Sequence, residues 1–194
     1  MKSRNTIFTT ILLVCFGFLP GAQAVVPPPD GGYPGFNTAE GQNALFSLTT
    51  CPGNTAAGWF SLYSNAAGSF NTAVGAGALD LNTADSNTAT GAAALLFNTT
   101  GTENTAVGTA ALEFNETGSN NTAVGAFALF SNTEGDTNTA SGEFALYFNT
   151  TGGGNTATGY NALSSNATGN LNTATGTVAL QFNTTGALNT PPVL

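Results

Sequence analysis

From Asn37 onward the chain repeats itself every 17 residues, and so short a period admits few folds. The pattern is N-T-A-x-G-x-x-A-L-x-x-N-T-T-G-x-x, with copies beginning at Asn37, Asn54, Asn71, Asn87, Asn104, Asn121, Asn138, Asn155 and Asn172. Every offset is 17 except the one of 16 between Asn71 and Asn87, and a tenth start at Asn189 runs into Thr190-Pro191-Pro192. A fixed short period marks a stacked array in which each unit touches only its neighbours. Helical hairpin repeats need about 33 residues or more, so the expected fold is all-β, a single-stranded β-solenoid (β-roll or β-helix) with one 17-residue coil per repeat. Thr38-Ala39-x-Gly41 and its equivalents would form one strand, and Ala44-Leu45-x-x a second. A helical reading of the Ala-Leu segment stays open, although two Gly per repeat make a long helix poor. The N-T-T-G segment is turn chemistry, since Asn tolerates the left-handed region and Gly reaches it without strain.

Some positions never change from copy to copy. The expected core ladder is Leu45, Leu62, Leu79, Leu95, Leu112, Leu129, Leu146, Leu163 and Leu180, accompanied by an Ala column starting at Ala39 and a Gly column starting at Gly41. Parallel strands stack about 4.8 Å apart, so like residues would lie on like residues in a rod of about 40 Å. Asn recurs both at the repeat starts and at the turns (Asn65, Asn82, Asn98, Asn115, Asn132, Asn149, Asn166, Asn183). Stacked amides can bond coil to coil. The glycosylation sequons Asn98-Thr99-Thr100 and Asn183-Thr184-Thr185 read as by-products of that ladder.

Outside the array, residues 1–24 read as a secretory signal peptide: basic Lys2 and Arg4, an apolar run from Ile7 to Phe18, and Ala22-Gln23-Ala24 as the cleavage site. The apolar run is too short to cross a bilayer comfortably, and no transmembrane segment is expected after its removal. Cys15 lacks the small preceding residue that a lipoprotein signal needs, because Val14 stands there. Residues 25–36 form a Pro/Gly-rich leader, 37–188 the nine-repeat solenoid, and 189–194 a truncated tenth repeat and tail. The expected location is secreted, extracellular or at the outer cell surface.

Beyond residue 24 the chain has ten acids, no Lys, no Arg and no His, a formal charge of −10. Without cations it cannot neutralise phosphates, which excludes a nucleic-acid partner, and an anionic membrane would repel it. A serine or cysteine nucleophile would lack its usual base, and the acids are scattered over different columns, so no enzyme, catalytic residue, cofactor or metal is expected. Asp85, Glu103, Glu116, Glu134 and Asp136 fall near one turn and suit Ca²⁺ by chemistry. They lack a ligand period and read better as a solvated acidic edge. Cys51, the one cysteine beyond the signal, stands where the other repeats mostly carry Gly and is expected to be buried.

One Leu per coil with Ala and Gly makes a thin core, while the two sites after the Leu are often large: Phe46, Tyr63, Leu96-Phe97, Phe114, Phe130, Tyr147-Phe148 and Phe182. An outward apolar stripe marks an interface, and a homotrimer of parallel rods is expected. Trp59 and Tyr160, directly after the strand Gly, are candidate surface contacts for a ligand such as a glycan.

The Asn-Thr-Ala-Val-Gly runs (71–75, 104–108, 121–125) followed by Ala-Leu resemble the head repeats of trimeric autotransporter adhesins. They resemble more closely the NTAxGxxALxxNTTG arrays of bacterial surface and phage-tail-like proteins. The adhesin repeat is shorter and has one more residue between its Asn and Gly. The resemblance implies a trimeric β-roll shaft used in adhesion or as a spacer, with a host surface, matrix or glycan as partner. The alternative function is binding of a surface lattice, ice included, or of a glycan. The Thr column from Thr38 to Thr173 is regular, but its neighbour two residues on varies (Glu40, Ala57, Val74, Thr90), and a lattice-matching face would want both.

Overall fold

The computed structural model describes residues 35–190. The expected signal peptide, most of the Pro/Gly-rich leader and the last four residues lie outside the described residues. Each repeat contributes one three-residue strand: β1 (Thr38–Glu40), β2 (Thr55–Ala57), β3 (Thr72–Val74), β4 (Thr88–Thr90), β5 (Thr105–Val107), β6 (Thr122–Val124), β7 (Thr139–Ser141), β8 (Thr156–Thr158) and β9 (Thr173–Thr175). They form one nine-stranded parallel sheet in chain order. Register is kept throughout, Thr on Thr and Ala on Ala, as in Thr122↔Thr139 and Ala123↔Ala140. The chain is therefore an all-β, parallel, single-sheet β-solenoid, and the described residues contain no helix. The middle Ala of each strand points inward and the two flanking residues point out, as the two-residue side-chain period of a strand requires.

The second strand expected at Ala-Leu does not form. After the strand, Gly125 (φ 135), Phe127 (φ 57) and Leu129 (φ 52) all take positive φ, and the same pattern recurs in every coil. Two successive turns result: Ala128 N donates to Gly125 O at 3.3 Å, and Asn132 N donates to Leu129 O at 3.1 Å. Coil-to-coil bonding persists without strand dihedrals, as Leu129 N donates to Ala145 O at 2.9 Å and Ser131 N to Tyr147 O at 3.0 Å. A left-handed Leu costs roughly 1–2 kcal/mol. The gain is that its side chain turns into the solenoid, where Leu62 through Leu163 are fully buried. At about 25 cal/mol per Å² of apolar area, burial of a whole Leu outweighs that strain.

The strand-end Gly column is required twice over. Gly125 lies at φ 135, and a Cβ there would sit 2.6 Å from the carbonyl carbon and oxygen of Gly142 in the next coil. The Gly of N-T-T-G has a different role from the one expected. It is absent from the positive-φ residues; a Cβ on Gly135 would strike Asn132 Oδ1 and the Gly152 carbonyl. Space, not handedness, selects it.

That Gly carbonyl closes the coil. Gly135 O accepts from Asn121 Nδ2 at 2.8 Å and from Asn132 Nδ2 at 2.9 Å. Asn132 Nδ2 also donates to Asn115 Oδ1 in the preceding coil (2.7 Å), and Asn138 N to Asn121 Oδ1 (2.9 Å). The one 16-residue coil keeps the clasp by shortening its turn: Asn71 and Asn82 both donate to Ala84 O at 2.8 Å. Strand register across it is unchanged, Thr72↔Thr88. Cys51 fills the Gly position in the first coil and is half-buried rather than buried as expected, its carbonyl accepting from Asn37 Nδ2 at 2.9 Å.

Two expectations follow for thermal unfolding. Gly176→Ala meets no neighbour within 4 Å and should lose only the backbone strain, about 1–3 kcal/mol; Gly125→Ala adds a steric clash and should melt lower still. Equal losses would contradict the close coil contact. Asn132→Asp keeps the shape but removes the donors, and should cost about 1–3 kcal/mol or more at neutral pH, with part of the loss recovered on acidification as the carboxyl regains a proton to donate. An unchanged melting temperature would contradict the clasp.

Candidate functional site

With Leu, two Ala and two Asn turned inward in most coils (Leu48 replaces the turn Asn in coil one, and Ser61 the second Ala in coil two), the variable residues lie outside, in the sheet face and on the flank formed by the two turns. Of the expected core ladder, Leu45 is 4% exposed, Leu62 through Leu163 are sealed, and Leu180 in the last coil is half-buried.

On the turn flank, aromatic residues stack along the rod. Phe97 lies on Phe114 with centroids 5.1 Å apart, Phe114 meets Phe130 edge-on at 5.0 Å, and Phe130 lies on Tyr147 at 5.0 Å. A second file runs beside it, Phe127 on Phe144 at 5.4 Å and Phe144 to Tyr160 at 6.2 Å. Phe127–Phe130 and Phe144–Tyr147 contacts join the two files. A separate group in the first two coils joins Phe46, Tyr63, Phe60 and Trp59. Trp59 and Tyr160 are both exposed, but they belong to different groups. Six coils separate them, about 29 Å at the spacing of parallel strands, so they do not form one site.

Coil eight interrupts the main band. Where coil seven carries Tyr147-Phe148 after its Leu, coil eight carries Ser164-Ser165, and it is the one coil of the nine with no larger group at either position. An open groove of about 330 Å³ lies there, lined by Tyr147, Phe148, Tyr160, Asn161, Ser165 and Gln181 among others. The lone aromatic Tyr160 was legible as unusual. The groove was not, although the Ser-Ser pair beside aromatic neighbours was its available signal.

Two of the acids serve the backbone. Asp85 Oδ1 accepts from Ser69 N, and Asp136 Oδ1 from Ser119 N, both at 2.7 Å. Among the described residues no group of three or more His, Cys, Asp or Glu could hold a metal ion. No helix there is long and apolar enough to cross a membrane. Asp80 and Glu113 differ from the other acids. Each sits directly after its Leu, in the column that also holds Tyr63, Leu96 and Phe130. Burial pushes both carboxyls above the usual range, and Asp80 Oδ1 is buried without a hydrogen-bond partner. They stand two coils apart with Leu96 between.

On the sheet face, Thr and the residue two places on both point outward in every coil, giving two parallel columns. Three coils make this a Thr pair: Thr88/Thr90, Thr156/Thr158 and Thr173/Thr175.

Because the folded state holds the Asp80 and Glu113 protons more tightly than the unfolded chain does, their stabilising contribution is complete below the unfolded carboxyl range. It is lost as pH rises through the raised folded values. Asp80→Asn should raise the melting temperature at pH 7 and flatten the gain in stability on acidification. A variant that melts lower at pH 7, or keeps the parent's slope, would contradict this.

Set against known protein families, curated proteins and solved structures, the chain matches none.

Proposed function

We propose that the chain is an extracellular rod, structural or adhesive, that acts through surface contact and carries out no chemistry. The observation behind this reading is the uninterrupted register of nine coils, which multiplies each outward residue into a column. Apart from the outward Thr column, the invariant residues serve closure and core. The variable ones are spread over the sheet face, beside the Thr column, and over an aromatic flank, and among the described residues no convergent polar site of the kind catalysis uses is formed. A homotrimer of parallel rods belongs to this reading. It would bury rings still open to solvent, such as Phe46 (65% exposed) and Phe182 (83% exposed). Export through the signal at residues 1–24 is part of the same proposal.

Cells displaying the full chain should attach to saccharide- or matrix-coated surfaces more strongly than cells without it. Attachment should depend little on salt, because beyond residue 24 the chain has no cation to pair with a surface anion. No gain in attachment would sink the adhesive reading. Light scattering on the purified protein tests the assembly: three chain masses support the trimer, and one mass leaves a single rod.

A second reading, lattice binding by the sheet face, is favoured by the two outward columns. Their residues lie about 4.8 Å apart along the rod and about 6.6 Å across it. Glu40, Ala57 and the Val residues break the second column. Thermal hysteresis in ice-containing solutions is the measurement, and its absence removes ice as the lattice.

A further inference from the structure

The geometry points to the coil-eight groove as a binding site for a neutral saccharide, with Tyr160 as its aromatic platform. The inference rests on the surface-contact reading and gives that reading a ligand class.

The groove exists because the ring band lapses for one coil. Tyr147 and Phe148 close it on one side, Gln181 reaches it from the other, and Ser164-Ser165 leave the floor low. Phe148 (56% exposed) and Tyr160 (47% exposed) each touch one ring of the band, Tyr147 and Phe144 respectively, and keep their other surface open to solvent at the groove. A volume of about 330 Å³ falls at the lower end of the roughly 300–1,000 Å³ of small-molecule sites. It suits one or two sugar rings.

The polar lining is uncommitted. No hydrogen bond within the described residues uses the side chains of Asn161, Ser165 or Gln181, nor the hydroxyls of Tyr147 and Tyr160. An amide offers two donors and an acceptor, and a hydroxyl offers both roles, which matches the mixed donor and acceptor hydroxyls of a sugar. Tyrosine rings present an apolar face for sugar C–H groups beside a polar tip. A purely apolar ligand would leave the amides and hydroxyls unpaired, and each such group costs free energy when desolvated.

Charge narrows the class. No Lys, Arg or His occurs beyond residue 24, so the groove has no cation for a carboxylate, sulfate or phosphate. Glu143 occupies the position equivalent to Tyr160 one coil earlier, exposed, about 4.8 Å away in backbone spacing. Its carboxylate repels anions at the groove's edge.

The test is calorimetric titration of the full secreted chain with cellohexaose, chitohexaose and laminarihexaose as neutral probes, and with heparin and oligogalacturonate as anionic ones. At least one neutral probe should bind saturably, with Kd between about 10 µM and 1 mM, and the anionic probes should not. Tyr160→Ala should weaken binding by tenfold or more. It should fold, because the same column already holds Ala76, Ala92 and Ala126. Gln181→Ala should weaken binding three- to tenfold, and Trp59→Ala, outside the groove, should leave it unchanged. The proposal is overturned if no neutral probe binds, if anionic probes bind better, or if Tyr160→Ala leaves affinity intact. It is also overturned if light scattering shows an oligomer that Tyr160→Ala dissociates, since a second copy then fills the groove. Failure of all neutral probes while displaying cells still attach to surfaces removes the groove alone; loss of attachment as well removes the adhesive reading.

Discussion

Every coil after the first depends on a carbonyl oxygen that accepts from two Asn amides of its own coil. In the sixth coil Gly135 O takes Asn121 and Asn132 together, tying the start of the coil to its last turn. The same amides bond to their equivalents one coil away, so the interaction that closes a coil also stacks it. Burying an amide without partners costs about 1–3 kcal/mol, which binds the three positions to one another: an Asn, an Asn and a residue small enough to let them meet. The shortened coil keeps both bonds to Ala84 and gives up a turn residue instead.

Closure by amides explains how so thin a core holds. The apolar interior of each coil is one Leu and two Ala, with Ser61 in place of the second Ala in coil two, and small residues let the walls approach closely. A strand could not deliver the Leu inward from a path that turns so sharply; a left-handed residue can. The apolar groups that follow the Leu find partners mostly within the chain, ring on ring from coil to coil. Part of the apolar surface that a thin core would offer to other chains is thus already covered, and the open rings at the ends and around coil eight remain for contacts beyond the chain.

Work is divided between columns. Invariant inward positions make the rod, and the outward positions, the constant Thr column among them, decide what the rod can touch. The sheet face carries a regular Thr column beside a variable one, the turn flank is aromatic and interrupted, and the acids either cap backbone amides, as Asp85 and Asp136 do, or stand in solvent. Asp80 and Glu113 are exceptions, carboxyls placed in an apolar column at a cost in stability that grows with pH.

The sequence by itself determined the architecture. A 17-residue period allows one coil per repeat, and the invariant Leu, Ala and Asn columns name the interior, because stacking at a fixed spacing turns repetition along the chain into contact between like residues. The tertiary structure decided how the chain turns. Leu129 identifies itself as buried, but an apolar residue goes inward equally well from a strand or a left-handed turn, and only the path to the next coil chooses. Gly135 looks like a left-handed turn residue, yet the amides and carbonyl crowding it are what exclude a side chain there. The groove was hidden for a related reason. Ser164 and Ser165 are unremarkable alone, and a gap arises only when the coils on either side bring Tyr147, Phe148 and Gln181 to its walls.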